Sequence, residues 1–284
     1  MIADPDTNIV FVADTLEREF PSVASGLRSI LERHGIPLST IPGTRSVWCR
    51  DYMPIQTSKD RFVQFRYEPD YLTGKYLPLR ADGQIGPHLP HVKNCTRSEI
   101  VLDGGNVVGW GDKVILCDKV FAENPDRKRP VLLEMLEQEL EVDHVIVIPT
   151  EPGDVVGHAD GIVRFIKGDV VLANDYSEVD RGFQAALTGI LTGAGLEVVQ
   201  LPYRPRAGRA RAIPSAFGCY INYLRVGRLV VLPRFGISED DETLALARQV
   251  FADSSVESLD CSDLSEEGGV LNCVTWTIGC ESGD

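Results

Sequence analysis

The sequence has little positive charge, no long hydrophobic run and no metal-binding cysteine motif. Its 28 basic and 42 acidic side chains leave a formal charge of −14. A negative field repels polyphosphate and anionic lipid, so we expect neither a nucleic acid nor a membrane as a partner. No apolar run approaches the length of a spanning helix, and the acidic N-terminus lacks the basic and apolar regions of a signal peptide. These absences predict a soluble cytoplasmic protein.

Cysteine is present seven times, but never in a CxxC or CxxH arrangement. The odd number and the spacing argue against a disulfide framework and against a zinc site, and they fit a reducing compartment. We therefore expect no metal and no cofactor, with one or two thiols in a functional role. For six of them a buried place in the core is expected. These six are Cys49, Cys95, Cys117, Cys219, Cys261 and Cys280.

The sequence does contain a repeat of short apolar runs. The five runs open at Ile9, Phe62, Val114, Val170 and Leu229, which are 53, 52, 56 and 59 residues apart. Such a period is typical of repeat architectures. Behind most runs the pattern continues as a polar turn, an amphipathic helix and a second strand. We therefore predict an α/β fold of five ββαβ-type modules in a closed ring, with residues 1–284 in a single domain.

The second module departs from this pattern between Glu68 and Asn94. The segment carries four prolines, three glycines and no helical period, which predicts an extended loop or lid in place of a helix. It also holds several aromatic and charged side chains, Tyr71 and Tyr76 among them. Because long loops in compact domains are usually functional, we expect this segment to help select the ligand of the protein.

A compact polar cluster precedes four of the five runs, and a fifth cluster lies near the C-terminus. The clusters are WCRD at 48–51, LDGGN at 102–106, GHAD at 157–160, CYIN at 219–222 and GGVLNC at 268–273. Each of them alone has an ordinary structural explanation as a turn cap, a salt bridge or a side chain that hydrogen-bonds the backbone across a hairpin. A ring of five modules would bring all of them to one centre, and this shared position favours a functional site.

The residue types at that centre suit a cationic ligand. Two rigid carboxylates match the planar fork of a guanidinium group, each accepting two N–H donors. On a strand, His158 and Asp160 would project from the same face and converge on one small molecule. Cys273 lies in a glycine-rich setting that allows close backbone approach, and its thiolate could attack the guanidinium carbon. Either the imidazolium or the bound cation would have to favour ionisation of the thiol.

Four ordered motifs carry a resemblance to a known family. They are WxRDxxP at 48–54, [DE]GGN at 103–106, GHxDxxxRF at 157–165 and a glycine-led cysteine at 268–273. A later pattern fits as well, at Tyr220, Asn222, Pro233, Phe235, Gly236, Asp240 and Asp241. On these residues the chain resembles the agmatine deiminase and bacterial peptidyl-arginine deiminase family, which are guanidino-modifying enzymes with the pentein α/β propeller fold.

The resemblance implies a hydrolase that converts a small cationic guanidino substrate into a ureido product and ammonia, with agmatine linking it to polyamine biosynthesis. It implies Cys273 as the nucleophile, His158 as the acid and base, and Asp51 and Asp160 as guanidinium ligands. The implied role of Asp103 is to orient the histidine. The resemblance further implies that the substrate site includes Trp48, Asn222 and Asn106. It implies no cofactor and leaves a homodimer open.

Two positions depart from the family pattern. Asn272 precedes the cysteine where the family usually has His, and Asp103 stands where it usually has Glu. The substrate stays open among agmatine, arginine and arginine peptides, with a lean towards agmatine because a negative field favours a dication. An amidinotransferase, a methylarginine hydrolase and a catalytically silent pentein that serves as a binding module are the alternatives.

Overall fold

The computed structural model describes residues 1–206 and 213–280. The strands are β1 (Ile9–Ala13), β2 (Leu38–Ile41), β3 (Ile55–Ser58), β4 (Arg61–Arg66), β5 (Cys95–Val101), β6 (Val108–Trp110), β7 (Lys113–Cys117), β8 (His144–Ile148), β9 (Val163–Lys167), β10 (Val170–Asn174), β11 (Glu197–Leu201), β12 (Leu224–Val226), β13 (Leu229–Arg234), β14 (Ser255–Asp260) and β15 (Trp276–Ile278). The α-helices are α1 (Leu16–Glu19), α2 (Pro21–Arg33), α3 (Cys49–Tyr52), α4 (Lys119–Glu123), α5 (Arg129–Leu140), α6 (Arg181–Gly193), α7 (Glu239–Val250) and α8 (Ser262–Ser265).

These strands form five sheets of three strands, all built to one plan. In each sheet the middle strand pairs antiparallel on one side and parallel on the other. The middle strands β1, β4, β7, β10 and β13 are the five apolar runs, so the predicted repeat is confirmed. Their residues are almost all buried, because a strand with neighbours on both sides and cover on both faces has little contact with water.

Four helices cross over between the parallel strands, as parallel pairing requires. They are α2, α5, α6 and α7, and α5 buries its predicted leucine face of Leu132, Leu136 and Leu140. Helix α6 begins where the carboxylate of Asp180 accepts the backbone N–H of Phe183 at 2.9 Å. Helix α7 has four acidic residues in its first turn, which suits the positive end of the helix dipole.

The first sheet is completed by the other end of the chain. Strand β15 pairs antiparallel with β1, with Ile278 opposite Ile9 and Trp276 opposite Phe11. Trp276 is buried, and its indole N–H donates to the carbonyl of Pro54 at 2.9 Å. The first module therefore takes its antiparallel strand from the C-terminal region, and the pairing closes the ring of modules.

The second module has no α-helix between its parallel strands, as predicted. The segment is not extended, however, because Gly74–Gln84 and Gly86–His88 form 3₁₀ turns. Its anchor is Asp82, which is buried and accepts the backbone N–H groups of Arg45 at 2.8 Å and Ser46 at 2.9 Å. These bonds fix the segment against the chain that leads into α3.

All seven cysteines are free thiols. Four of the six expected core cysteines are buried, but for Cys95 and Cys280 the prediction was wrong. Both are partly exposed because Cys95 opens the outer strand β5 and Cys280 follows β15 at the rim of its sheet. Among the described residues, no helix combines the length and the apolar character needed to cross a membrane.

Replacing Trp276 by alanine tests the closure of the ring. The change removes a large buried side chain and leaves the Pro54 carbonyl without its donor, so the free energy of unfolding should fall by about 3–5 kcal/mol. Urea denaturation measures this loss. Tyr76, whose side chain is 49% exposed, serves as the control, and its change to alanine should cost less than about 0.5 kcal/mol. Equal small losses in both variants would contradict a closing role for β15.

Candidate active site

The polar clusters occupy equivalent places in the ring, each just before the first strand of a sheet. Helix α3 carries the cluster before β3, and short 3₁₀ turns at Gly104–Asn106 and Ala159–Gly161 carry those before β6 and β9. The first turn contacts both α3 and the second turn. These three clusters therefore meet at one centre, as the repeat predicted.

His158 lies between two carboxylates at this centre. Its Nε2 is 3.1 Å from Oδ2 of Asp103, and its Nδ1 is 3.5 Å from Oδ1 of Asp51. The expectation that His158 and Asp160 share a strand was wrong. His158 has extended backbone but precedes the Ala159–Gly161 turn, and the turn rather than a pleat brings Asp160 to the same centre.

The electrostatics of this centre are dominated by burial and by the closeness of like charges. Burial alone would lower the pKa of His158, but the carboxylates of Asp51 and Asp103 outweigh it and raise that pKa to about 10. The pKa of Asp51 is raised to about 7, first by burial and then by Asp103 and Asp160, with His158 only partly offsetting them. The imidazole is therefore a cation at neutral pH, and Asp51 is poised near its titration point.

The close approach of these groups depends on a glycine. A Cβ atom on Gly105 would lie 2.5 Å from Nδ1 of His158 and 2.7 Å from Oδ1 of Asp51. Such distances are far below van der Waals contact, so no other residue fits between the imidazole and the carboxylate. The preceding Gly104 is equally confined, because its Cβ would meet the backbone oxygen of Arg50 at 2.1 Å. Both glycines of the GGN motif are therefore required on steric grounds.

Tyr71 belongs to the site and was not identified as a site residue from the sequence. Its hydroxyl donates to Oδ2 of Asp103 at 2.7 Å, and its ring packs edge-on against the His158 imidazole with centroids 6.3 Å apart. The signal available in the sequence was only the aromatic content of the segment from Glu68 to Asn94. Its contact with Asp103, 32 residues further along the chain, is not encoded in any local pattern.

Cys273 is held by an asparagine from the neighbouring cluster. Its Sγ and its backbone nitrogen each lie 3.3 Å from Oδ1 of Asn222. Burial raises the pKa of the Cys273 thiol well above its usual value, and the carboxylates of Asp160 and Asp51 raise it further. With the site in this charge state the sulfur is a neutral thiol.

Asn272 is the second site residue that the sequence did not assign. Its Nδ2 donates to Oδ2 of Asp160 at 2.6 Å. This position was noted only as a departure from the family pattern. In the structure the Asn272 amide fixes one oxygen of the Asp160 carboxylate. Because Asn272 directly precedes Cys273, this bond links Asp160 to the chain that carries the thiol.

Of the residues expected at the substrate, Asn106 binds backbone groups, whereas Trp48 lies beside the cysteine. The Asn106 amide oxygen accepts the backbone N–H groups of Cys117 at 2.7 Å and Ala159 at 3.3 Å, and its Nδ2 donates to the Cys117 carbonyl. Asn106 thereby fixes the residue next to His158. The Trp48 ring lies against Gly269, whose added Cβ would be 2.7 Å from the ring and 3.0 Å from Cβ of Cys273. Trp48 thus stands close to the thiol.

The residues of the later sequence pattern form a hydrogen-bonded turn around the carboxylate of Asp240. The Tyr220 hydroxyl donates to Oδ1 of Asp240 at 2.8 Å. Oδ2 of Asp240 accepts the backbone N–H of Gly236 at 2.8 Å, and the N–H of Phe235 bonds the same carboxylate. The pattern therefore shapes the turn at β13 and holds Tyr220, two residues before Asn222.

A cavity of about 370 Å³ opens onto the centre, a volume typical of small-molecule sites. Its lining includes His158, Asp160, Asn222 and Cys273. The remaining wall within the described chain comes from residues 151–154, 156, 161–162, 203, 206, 213–216, 219 and 268–269. The segment from Glu68 to Asn94 does not contribute to the described lining of this cavity, although Tyr71 within it bonds Asp103 at the centre.

Three buried carboxylate oxygens at this centre have no hydrogen-bond donor among the described residues. They are Oδ1 of Asp51, Oδ1 of Asp103 and Oδ1 of Asp160. A buried acceptor without a donor is costly, and a cation that presents several N–H groups would satisfy it. Within the described chain no group of residues is arranged to hold a metal ion. The arrangement suits an organic cation beside a thiol and an imidazolium.

Five three-stranded sheets with a cysteine, a histidine and carboxylates at the common centre define a pentein α/β propeller. The sequence model of the Porphyromonas-type peptidyl-arginine deiminases matches residues 2–278, and the chain belongs to this family.

Similar proteins carry the names of guanidino enzymes. The agmatine deiminase of Ectopseudomonas mendocina is 26% identical over 237 residues, which cover 71% of this chain and 64% of that protein. The chain therefore spans just under two thirds of the length of that relative. The solved agmatine deiminase of Enterococcus faecalis superposes with a TM-score of 0.81 at 17% identity over 99% of this chain and 95% of that one. The solved C. jejuni agmatine deiminase superposes with a TM-score of 0.81 at 14% identity, over 99% of this chain and 96% of that one. At these identities the superpositions establish the fold.

Changing Asp103 to asparagine tests the electrostatics at the histidine. Removing this carboxylate destabilises the imidazolium, so the pKa of His158 should fall from about 10 by about one unit or more towards 6.5. An NMR titration of the imidazole signals measures it, with the His158 signal assigned by its loss in His158→Asn. Tyr71→Phe keeps the carboxylate and is the matched control, for which a smaller shift is expected. An unchanged pKa in Asp103→Asn would contradict the ion pair.

Proposed function

We propose that the protein is a deiminase that hydrolyses the guanidino group of a small cationic substrate to a ureido group and ammonia. Cys273 serves as the nucleophile and His158 as the acid and base. Asp51 and Asp160 bind the guanidinium, Asp103 holds the imidazole, and Trp48 and Asn222 complete the wall around the thiol. The matches to proteins named agmatine deiminase support agmatine as a substrate.

One observation carries this proposal: three buried carboxylates lie around a thiol and an imidazolium, and each has one oxygen without a hydrogen-bond donor among the described residues. A guanidinium offers five or more N–H donors in one plane, and carboxylates bind it through paired hydrogen bonds. The bound cation also changes the thiol. It offsets the carboxylates that raise the pKa of Cys273, so binding of the substrate promotes formation of the thiolate.

In the first step the thiolate attacks the guanidinium carbon and a carbon–sulfur bond forms. One carbon–nitrogen bond then breaks, and the imidazolium of His158 gives its proton to the departing ammonia. The product of this step is an amidino group on sulfur. The raised pKa of His158 suits the role of acid, because the proton is present before the reaction begins.

In the second step water attacks the amidino carbon while the now neutral His158 accepts a proton from it. The carbon–sulfur bond then breaks, the remaining hydroxyl proton passes to the leaving sulfur, and the ureido product forms with Cys273 restored as a thiol. This product is neutral, so the charge-assisted contacts with Asp51 and Asp160 are lost. The loss of charge favours release of the product.

Replacing Cys273 by serine tests the covalent route. A hydroxyl is a far weaker nucleophile near neutral pH, so ammonia release from agmatine should fall by at least about a thousandfold with folding retained. After an acid quench, mass spectrometry of the unaltered enzyme should find the amidino adduct on the peptide that contains Cys273. Cys280→Ser is the matched control and should keep its activity. If Cys273→Ser retained a tenth of the activity, the covalent mechanism would be wrong.

Titration of Asp51 predicts the pH dependence of binding. The guanidinium binds the ionised carboxylate, and the pKa of Asp51 is raised to about 7. Below that pH the carboxyl is protonated, so the Kd of agmatine should rise by up to about tenfold per pH unit as the pH falls. Calorimetry on Cys273→Ser between about pH 5.5 and 8.5 measures the Kd without turnover.

The double variant Asp51→Asn with Cys273→Ser is the control for this titration. An amide does not titrate in this range, so its Kd should be weaker and nearly constant with pH. A flat profile in the single variant Cys273→Ser would show that Asp51 does not bind the guanidinium through its ionised form.

A further inference from the structure

Residues 1–7, which precede β1, contact the chain behind the reactive centre and do not line its cavity. Asp4 opens a 3₁₀ turn, Asp4–Asp6, and the Thr7 hydroxyl donates to the Asp4 carbonyl at 2.7 Å. The turn packs on β12. A second cavity of about 60 Å³ is lined by Asp4 and Arg50 among others, and it shares no described lining residue with the cavity at the thiol. This segment therefore meets the centre from behind.

Arg164 connects Asp4 to the cluster that holds the cysteine. Its Nη2 donates to Oδ2 of Asp4, and its Nη1 donates to the carbonyl of Tyr223 at 2.9 Å. The guanidinium also lies over the Tyr223 ring, 4.7 Å from the ring centroid. Tyr223 directly follows Asn222, whose Oδ1 lies 3.3 Å from Sγ of Cys273. Asp4 thus orients a guanidinium that fixes the residue next to Asn222.

Arg50 connects the same region to the cysteine itself. Its backbone N–H donates to the Cys273 carbonyl at 3.1 Å, and its Nε donates to the Asn272 carbonyl at 3.4 Å. Burial lowers the pKa of the Arg50 guanidinium, and Asp4 contributes most among the carboxylates that raise it again. Because Arg50 directly precedes Asp51, it joins the turn that carries this carboxylate to the chain that carries the thiol.

Three arginines face the carboxylate of Asp4. They are Arg164, Arg50 and Arg225, on β9, α3 and β12. Burial would raise the pKa of Asp4, but Arg164 and Arg50 outweigh it and lower that pKa, so the carboxylate is ionised at neutral pH. Asp160 also acts on Arg50 and Arg164, from the side of the centre. Loss of the Asp4 charge would leave an excess of positive charge behind the centre.

Such an excess acts on Asp51 through Arg50. The groups that face Asp51 are His158, Asp103, Asp160 and Arg50. The two cations among them stabilise the ionised carboxylate, and the two other carboxylates oppose it. Asp4 offsets part of the charge of Arg50, so removal of Asp4 strengthens the effect of Arg50 on its neighbour. The pKa of Asp51 should therefore fall when the Asp4 charge is lost.

We propose that Asp4 is a positioning residue of the reactive centre that acts through Arg164 and Arg50. It fixes the backbone on which Cys273 lies, and it balances the positive charge behind Asp51. Its effect on turnover rests on the proposed function, whereas its effect on the charge of the centre does not.

Asp4→Asn tests the charge balance. The change removes a negative charge and keeps the size of the side chain, so the pKa of Asp51 should fall from about 7 by about half a unit or more. An NMR titration of the His158 imidazole measures this shift without a substrate. Nδ1 of His158 lies 3.5 Å from Oδ1 of Asp51, so the imidazole signals change as that carboxylate ionises.

Asp6→Asn is the matched control for this titration. Asp6 belongs to the same turn, but its side chain is exposed, so the same loss of charge should leave the inflection near pH 7 in place. Asp4→Glu keeps the charge and should also leave the inflection in place. An inflection that does not move in Asp4→Asn overturns the proposal.

Turnover of agmatine tests the positioning role. Above about pH 8, where Asp51 is ionised in all variants, Asp4→Asn should lower kcat by about tenfold and change KM by less than about twofold. Asp4→Glu should restore most of the loss, and Asp6→Asn should match the unaltered enzyme. An equal kcat in Asp4→Asn and Asp6→Asn contradicts the positioning role.

A role in stability alone would have a different signature. It would lower the Tm of Asp4→Asn in thermal melting and leave both the inflection and kcat unchanged. If Asp4→Asn does not fold, Arg164→Lys decides. A lysine keeps the charge but lacks the planar fork that reaches Asp4 and the Tyr223 carbonyl at once, so kcat should fall by at least about fivefold with the inflection in place. An unchanged kcat in Arg164→Lys overturns the proposal.

Failure of the proposed function would be seen separately. If the unaltered enzyme releases no ammonia from agmatine, the deiminase is contradicted, but the His158 titration still decides the charge balance. An inflection that moves in Asp4→Asn and not in Asp6→Asn supports the proposal. One that moves equally in both variants, or in neither, overturns it.

Discussion

The burial of three carboxylates around one imidazole is the constraint on which the centre depends. Like charges in a medium of low polarity repel strongly, and His158 compensates only part of that cost, as the raised pKa of Asp51 shows. The unpaired oxygens that remain favour a ligand with positive charge and several N–H groups. Under the proposed function, binding and activation are one electrostatic event, because a cation that satisfies the carboxylates also lowers the cost of ionising the Cys273 thiol.

The rest of the structure holds these charges at close range. The ring places one turn from each module at the centre, and side-chain amides add hydrogen bonds between these turns to the ion pairs of His158. Asn106 fixes the residue after His158, Asn222 bonds Cys273, and Asn272 bonds Asp160. A neutral amide can satisfy backbone and carboxylate groups without altering the charge balance, which explains why asparagine supports a site whose chemistry depends on that balance.

The sequence by itself determined the repeat, the five central strands and the types of side chain that meet at the centre. Each of these follows from local facts, since an apolar run reports its own burial and a motif reports its own residues. The tertiary structure alone decided that β15 closes the first sheet, that Tyr71 bonds Asp103 from 32 residues away, and that Asn272 bonds Asp160 from 112 residues away. It also replaced the expected strand at His158 by a turn. Contacts of this kind depend on how closed modules meet, and neither hydrophobic period nor motif spacing encodes the distances between atoms across the ring.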